Sequence, residues 1–390
     1  MIYLDNAATT WPKPTAVTEA VRRAMQLYGA NPGRGGHAMS MAASKEVYKC
    51  RETAARLFHL DNPAGVVFTM NCTMSLNIVL KGLLRDGGRV VVSSLEHNAV
   101  MRPLQALSSG RPCYDMAQVV PGNDDETVEA FRRCITKDTR AIVTTHASNV
   151  FGIRLPIRRL GELAMHYGLS FVVDGAQSAG VLPIDMAEDH IDFLCVPGHK
   201  GLYGPMGTGM LLSSGRVMLP SFLEGGTGSQ SISLEQPDEL PDRFESGTPN
   251  TPGICGLRAG MELVMNKGVD NIGKHETMLM GIAYDRLSAM EGLCLYTDRP
   301  VYGKCAPVLS LNITGLPSED AAAKLNDFGV AVRAGLHCAP CAHRQFGTLS
   351  TGTVRLAPSI FTTRQEIIQA CGAVQRCVGT SPRGIKPDKR

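Results

Sequence analysis

Apolar and polar positions along this chain switch repeatedly between two periods, and the switching predicts an architecture. Short apolar runs bounded by turn residues recur as GVVFT (65–69), RVVVS (89–93), RAIVTT (140–145), SFVVD (170–174), IDFLCV (191–196) and TGMLLS (208–213). Continuous runs of that length read as strands buried on both faces. Between them, residues 14–29, 73–84, 125–135 and 156–168 space their apolar positions as helices do. Strands and helices in alternation predict an α/β fold with a mostly parallel sheet covered on both sides.

Periodicity lapses over residues 221–253, where Gly, Pro and Ser crowd together. Unstructured stretches of that length in compact proteins usually serve function. Beyond it the pattern predicts a helical stretch over 254–290, a strand at 306–314, a helix at 318–328, strands near 330–333 and 353–357, and a helix over 363–376. The expected layout is a large domain over 14–253 and a smaller C-terminal α+β domain over 254–380, on which residues 1–13 pack. A polar tail, 381–390, is expected to fray.

Composition narrows the class. A chain of 390 residues can bury a sizeable core, and 44% hydrophobic with 19% charged residues is ordinary for a soluble enzyme. The net charge of +3 carries no bias toward nucleic acid or membrane. MIYLDNAATTWPKP has neither a basic leader nor an apolar one, and no run approaches the roughly 20 apolar residues of a membrane span. The twelve cysteines are scattered singly and read as reduced, mostly packed thiols. These features predict a cytoplasmic protein with no nucleic-acid partner and no membrane partner.

In open parallel sheets ligands bind beyond the carboxyl ends of the strands, so the residues just after each run deserve inspection. Here they are unusually polar: MNCTMS, with Cys72 and Thr73 opening a helix, then SLEHNA, HASNVFG, DGAQSAG and PGHKGLYGP. Lys200 stands in a glycine-flanked turn after an apolar strand, where desolvation lowers an amine's pKa and suits it to a Schiff base. A solvated loop lysine is the plainer alternative. Asp174 ends the strand before it, a poor place for a carboxylate unless a cation waits there or a helix needs capping. A protonated pyridinium is such a cation. Thr73 reads as a helix cap or as part of a phosphate site at a helix N-terminus. His97 reads as a ring-stacking or an ordinary surface histidine. The segment RAGLHCAPCAH (333–343) leaves three chemistries open: a metal knuckle through His337, Cys338, Cys341 and His343, a redox CxxC, or a catalytic thiol.

Taken together, YLDNAAT, NPGRGGH, EHNA, SNVFG, VDGAQSAG, GHKGLYGP, GGTGS, RFESGTPN, RAGLHCAP and GTVRLAP span nearly the whole chain, and VDGAQ places its Asp 26 residues before the lysine of GHK. This set resembles the class V aminotransferase family of fold type I, within it the cysteine desulfurases and selenocysteine lyases. The resemblance implies pyridoxal 5'-phosphate as cofactor. Lys200 would hold it covalently and later shuttle the substrate α-proton. Asp174 would pair with the ring nitrogen, Gln177 and Asn149 would lie near the ring hydroxyl, and His97 would stack on the ring. Cys72, Thr73 and His199 would border the phosphate, and Thr227 would reach the phosphate of a partner subunit, which implies a homodimer. Arg355 would clamp the substrate carboxylate bidentately.

Cys338 matches the family's catalytic thiol. It would take sulfur from L-cysteine as a persulfide and leave L-alanine, with His337 and Arg333 as cations that could lower its pKa and a protein as sulfur acceptor. Alternatives on the same scaffold are a selenocysteine lyase or another class V aminotransferase or lyase. One of another class is a redox or metal-binding protein with a decayed cofactor site. Zinc is disfavoured, since HCxxCxH lacks a second, distant ligand pair. Pro197 departs from the family, which usually has Ser or Thr there as a phosphate ligand. Cys341 is also outside the pattern, and either fills an apolar slot or forms an oxidative disulfide with Cys338.

Overall fold

The computed structural model describes residues 1–33 and 35–379. In chain order the first part comprises β1 (Ile2–Tyr3), α1 (Thr15–Leu27), α2 (Ala38–Leu57), β2 (Val66–Thr69), α3 (Cys72–Leu83), β3 (Arg89–Ser93), α4 (Asn98–Leu107), β4 (Tyr114–Ala117), α5 (Asp124–Cys134), β5 (Thr139–Thr145), α6 (Ile157–His166), β6 (Ser170–Asp174), β7 (Phe193–Pro197) and β8 (Gly209–Ser213). Strands β2 to β8 form one seven-stranded sheet in the order β2-β8-β7-β6-β5-β3-β4. The pairs from β7 through β6, β5 and β3 to β4 are parallel, while β8 runs antiparallel to both β7 and β2. Val66, Val91, Ile142, Phe171, Val173 and Leu194 belong to one core, and Val67, Val90, Val92, Val172 and Phe193 to a second. A central strand contributing alternate residues to two separate cores has to be apolar throughout, hence the continuous runs in the sequence.

The second part comprises α7 (Thr251–Lys267), α8 (Val269–Leu287), β9 (Leu293–Leu295), β10 (Leu309–Ile313), α9 (Ser318–Asp327), β11 (Val330–Ala331), α10 (Pro340–Gln345), β12 (Val354–Leu356) and α11 (Arg364–Gly379). Strands β9, β10 and β12 form an antiparallel sheet with β10 central, and β1 pairs in parallel with β11. Leu309, Leu311, Leu356, Leu279 and Val374 pack with Leu4 in a core of their own. The N-terminal segment touches both parts, because the Thr10 hydroxyl and the Lys13 ammonium donate to the His199 carbonyl in the turn after β7.

Six of these elements are absent from the sequence reading: α2, α4 and β4, and the shorter β1, β9 and α10. The inward face of α2 mixes Ser40, Glu46, Arg51 and Thr53 with its apolar residues, which blurs the period. Helix α4 contains Pro103, ordinarily a helix breaker, and opens on His97 as its N-cap. The single helical stretch expected over 254–290 is two helices, divided at Gly268, whose φ of 82° belongs to the left-handed region. Residues 214–250 contain no helix or strand, as their composition predicts. The tail 381–390 lies outside the described residues. None of the described helices is long and apolar enough to cross a membrane.

Candidate active site

The carboxyl ends of β2, β3, β5, β6 and β7 converge on one cavity, whose lining includes Cys72, Thr73, His97, Asn149, Asp174, Gln177, His199 and Lys200. Each side chain arrives by a simple local device. Asn71 caps α3 by accepting the Met74 N–H at 2.9 Å, so Cys72 and Thr73 occupy the first turn with free N–H groups beside them. Thr73 is therefore not the cap, and its exposed hydroxyl faces no competing role. His97 caps α4 through Nδ1, which accepts the Ala99 N–H at 2.9 Å and so leaves the proton on Nε2.

Asp174 is 2% exposed at the end of β6. Its Oδ1 accepts from the Ala176 N–H at 2.9 Å and from the Cys72 thiol at 3.4 Å, and Oδ2 has no hydrogen bond among the described residues. No helix follows it, so the capping alternative falls away. Lys200 follows β7 by three residues, and desolvation holds its amine below the ordinary lysine value against the pull of the Asp174 carboxylate. His199 is held down at about 4, chiefly by burial, and its Nδ1 is buried without a partner. Gln177 is oriented by donating to the Ala7 carbonyl at 3.1 Å.

Cys338 is exposed, and it is absent from the cavity lining. Its loop is nevertheless tied to the cavity by two hydrogen bonds to its carbonyls. The Asn98 N–H donates to the Cys338 carbonyl and the Asn149 amide to the His337 carbonyl, both at 2.7 Å. His337 and Cys338 have φ of 48° and 57°, two consecutive non-glycine residues in the left-handed region. His337 is buried, donates through Nε2 to the Thr353 carbonyl, and is pushed down to about 3 by burial foremost. It is thus a neutral imidazole, which corrects its expected part as a cation beside Cys338. His343 bonds the Thr348 hydroxyl, and no group of three His, Cys, Asp or Glu side chains among the described residues is arranged to hold a metal. All twelve cysteines are free, and Cys341 packs partly buried against the core that contains Val92.

Arg355 lies in β12, 2% exposed, with Nη2 on Asp5 and Nη1 on the Asn149 carbonyl, each at 2.9 Å. Thr227 does not line the cavity, and its hydroxyl instead meets Ser229 at 2.9 Å.

A family model described as aminotransferase class-V matches residues 2–369. The chain belongs to that family. A probable cysteine desulfurase of Methanothermobacter thermautotrophicus is 33% identical, with 94% of this chain and 92% of that protein aligned. A cysteine desulfurase of Escherichia coli O157:H7 is 31% identical over 96% of this chain and 93% of its own length. Among solved structures, the apo cysteine desulfurase of Thermococcus onnurineus superposes with a TM-score of 0.89 at 32% identity, covering 97% of this chain and 94% of that one.

Within this class V scaffold, two residues escaped the sequence reading. Glu96, of the EHNA segment, is fully buried. Its Oε1 accepts from the Ser93 hydroxyl and from the Thr145 N–H at 2.9 Å, Oε2 has no partner, and burial pushes the carboxyl up to about 8. Its place inside a conspicuous motif was the available signal. Asp5, the counter-ion of Arg355, sits in YLDNAAT, 350 positions away in sequence. Pro197 lines the cavity and pairs with Gly209 across β8, so that wall has no hydroxyl at this position.

Proposed function

We propose that this chain is a pyridoxal-phosphate-dependent cysteine desulfurase that converts L-cysteine to L-alanine and passes the sulfur through Cys338 to a protein acceptor. One observation carries the reading: a desolvated lysine and a buried carboxylate face the same cavity, and a loop bearing an exposed thiol is hydrogen-bonded to that cavity's wall. A cytoplasmic homodimer, in which Thr227 of each copy serves the other's cavity, belongs to the same reading.

The donor set fits the cofactor. Burial loosens the proton on the Lys200 amine, and the unprotonated amine is the form that condenses with an aldehyde. The unbonded Oδ2 of Asp174 suits a ring N–H. The unpartnered Nδ1 of His199 and the free N–H groups at the start of α3 suit a phosphate. Without a hydroxyl at Pro197 the phosphate loses one charge-assisted bond, roughly 1.5–3 kcal/mol. When bound, pyridoxal phosphate supplies the electron sink that labilises bonds at the substrate's α- and β-carbons.

The protein's own groups do the rest. Lys200 Nζ takes and returns protons at carbon, His97 and Asn149 border the reacting face, and Arg355 offers charge for a carboxylate. Cys338 Sγ, as thiolate, attacks the sulfur of cysteine. The S–S bond forms as the Cβ–S bond breaks, and that electron pair, with a proton, ends on the carbon that becomes the alanine methyl. The product is a persulfide on Cys338 with its oxidation balanced by reduction of that carbon.

Incubating the cofactor-loaded protein with L-cysteine should give alanine, and sulfide once a thiol reductant is added. Cys338→Ala should lower this by roughly 100-fold or more with the visible absorbance of the bound cofactor unchanged. Full turnover of selenocysteine with none of cysteine would favour the selenocysteine lyase instead. A protein that takes up no cofactor would sink both.

A further inference from the structure

The guanidinium expected to clamp the substrate carboxylate is already occupied. Arg355 spends one donor on Asp5 and another on the Asn149 carbonyl, and its Nε is buried without a partner. What remains for a ligand is a partial fork. Directly across an antiparallel bridge stands a second arginine: the Arg355 N–H donates to the Arg333 carbonyl at 2.8 Å. Residues opposed in this way project their side chains from the same face with Cβ atoms about 4.5–5.5 Å apart, and like charges so placed destabilise each other. Asp5 neutralises one member of the pair. Arg333 is exposed and has neither a hydrogen bond from its guanidinium nor an ion pair among the described residues. Arg355 reaches the carbonyl of Asn149, a residue of the cavity lining, so the face that the paired arginines share is the one turned toward the cavity.

We propose that Arg333 is a substrate-binding residue: it supplies the free fork for the α-carboxylate of the amino acid, beside an Arg355 whose donors are held by Asp5 and Asn149. The inference deepens the proposed function and rests on the site accepting an amino acid. A solvated arginine with no ligand is the competing account, and the two differ in what they predict for ligands with and without a carboxylate.

The experiment is a spectral titration of the cofactor-loaded protein with L-alanine and, separately, with ethylamine, its carboxylate-free counterpart. Arg333→Ala should weaken L-alanine binding roughly tenfold, the scale of a lost charge-assisted pair, and leave ethylamine unchanged. Arg333→Lys should fall between, since it restores charge without the planar fork. In turnover, KM for cysteine should rise with kcat nearly constant. An alanine-to-ethylamine ratio identical in wild type, Arg333→Ala and Arg333→Lys overturns the proposal. Because the titration reads binding and not sulfur chemistry, it yields that ratio even if the wild-type protein releases no sulfide from cysteine.

Discussion

The cavity wall and the thiol loop are built by opposite means. The wall consists of strand ends: Asp174 and Thr145 are register partners on adjacent strands, and Glu96 accepts the Thr145 N–H from behind. Such groups move only if the sheet moves. The loop at Cys338 contains no strand or helix, adopts two left-handed residues in succession, and is tied to the cavity wall by one hydrogen bond each from Asn98 and Asn149, with Gly335 and His337 bonded to Thr353 on its other side. Chemistry explains the division. Groups that orient a ring and hold a proton gain from fixed geometry, whereas a thiol that receives sulfur and hands it to a partner has to stay accessible.

The largest predicted effect tests the rigid side. Glu96 titrates near 8 in the folded chain, against an ordinary carboxylate value of 4.5. Between those values the folded state keeps a proton that the unfolded state has lost, so stability falls as pH rises through the window, by an amount on the order of a few kcal/mol. Glu96→Gln keeps the shape and removes the charge, so its urea midpoint should change less over the same range and exceed that of the wild type at pH 8. Parallel pH profiles for the two proteins would mean that Glu96 is not held neutral, and that the wall tolerates a buried charge.

The joint between the regions comes next. Asn149→Ala deletes the amide that holds the His337 carbonyl but leaves the Asn149 carbonyl for Arg355. Losing one buried bond of this kind costs about 1–2 kcal/mol, which predicts a roughly tenfold slower sulfur transfer. Amide exchange over residues 335–339 should accelerate while exchange in β5 and β6 does not change. Equal acceleration in both would show that the loop and wall are one unit, and the contrast between them would fail.

What the sequence disclosed follows the same division. Lys200 and Asp174 were legible because they break apolar runs where a parallel sheet opens. Glu96 was not, since a glutamate in a polar segment gives no local sign that β3 and β5 will enclose it. Helix α4 was hidden by Pro103 and by a histidine in the cap position, so the anchoring of His97 was hidden too. The Asp5–Arg355 pair joins β1's extension to β12, a contact that exists only once β1 lies beside β11. The conformation of the thiol loop depends on those non-local bonds, and its sequence alone left metal, redox and nucleophile readings standing together.

The smallest effect falls on Cys341, the residue that separates the nucleophile reading from the redox one. Its sulfur is half-buried against the core around Val92, and burial raises its pKa, with Arg344 pulling it down less strongly and Glu96 pushing it up. Disulfide formation starts from a thiolate, so burial makes Cys341 a slow attacking partner. Cys341→Ala should cost about 1 kcal/mol or less, the loss of one partly buried sulfur, and leave cysteine turnover intact. After mild peroxide, mass spectrometry should find oxygen added at Cys338 with Cys341 reduced, and the fraction of activity recovered by dithiothreitol should be the same in wild type and Cys341→Ala. A Cys338–Cys341 disulfide in the wild type, with recovery that disappears in the variant, would instead make the loop a redox switch and give Cys341 a function that its burial argues against.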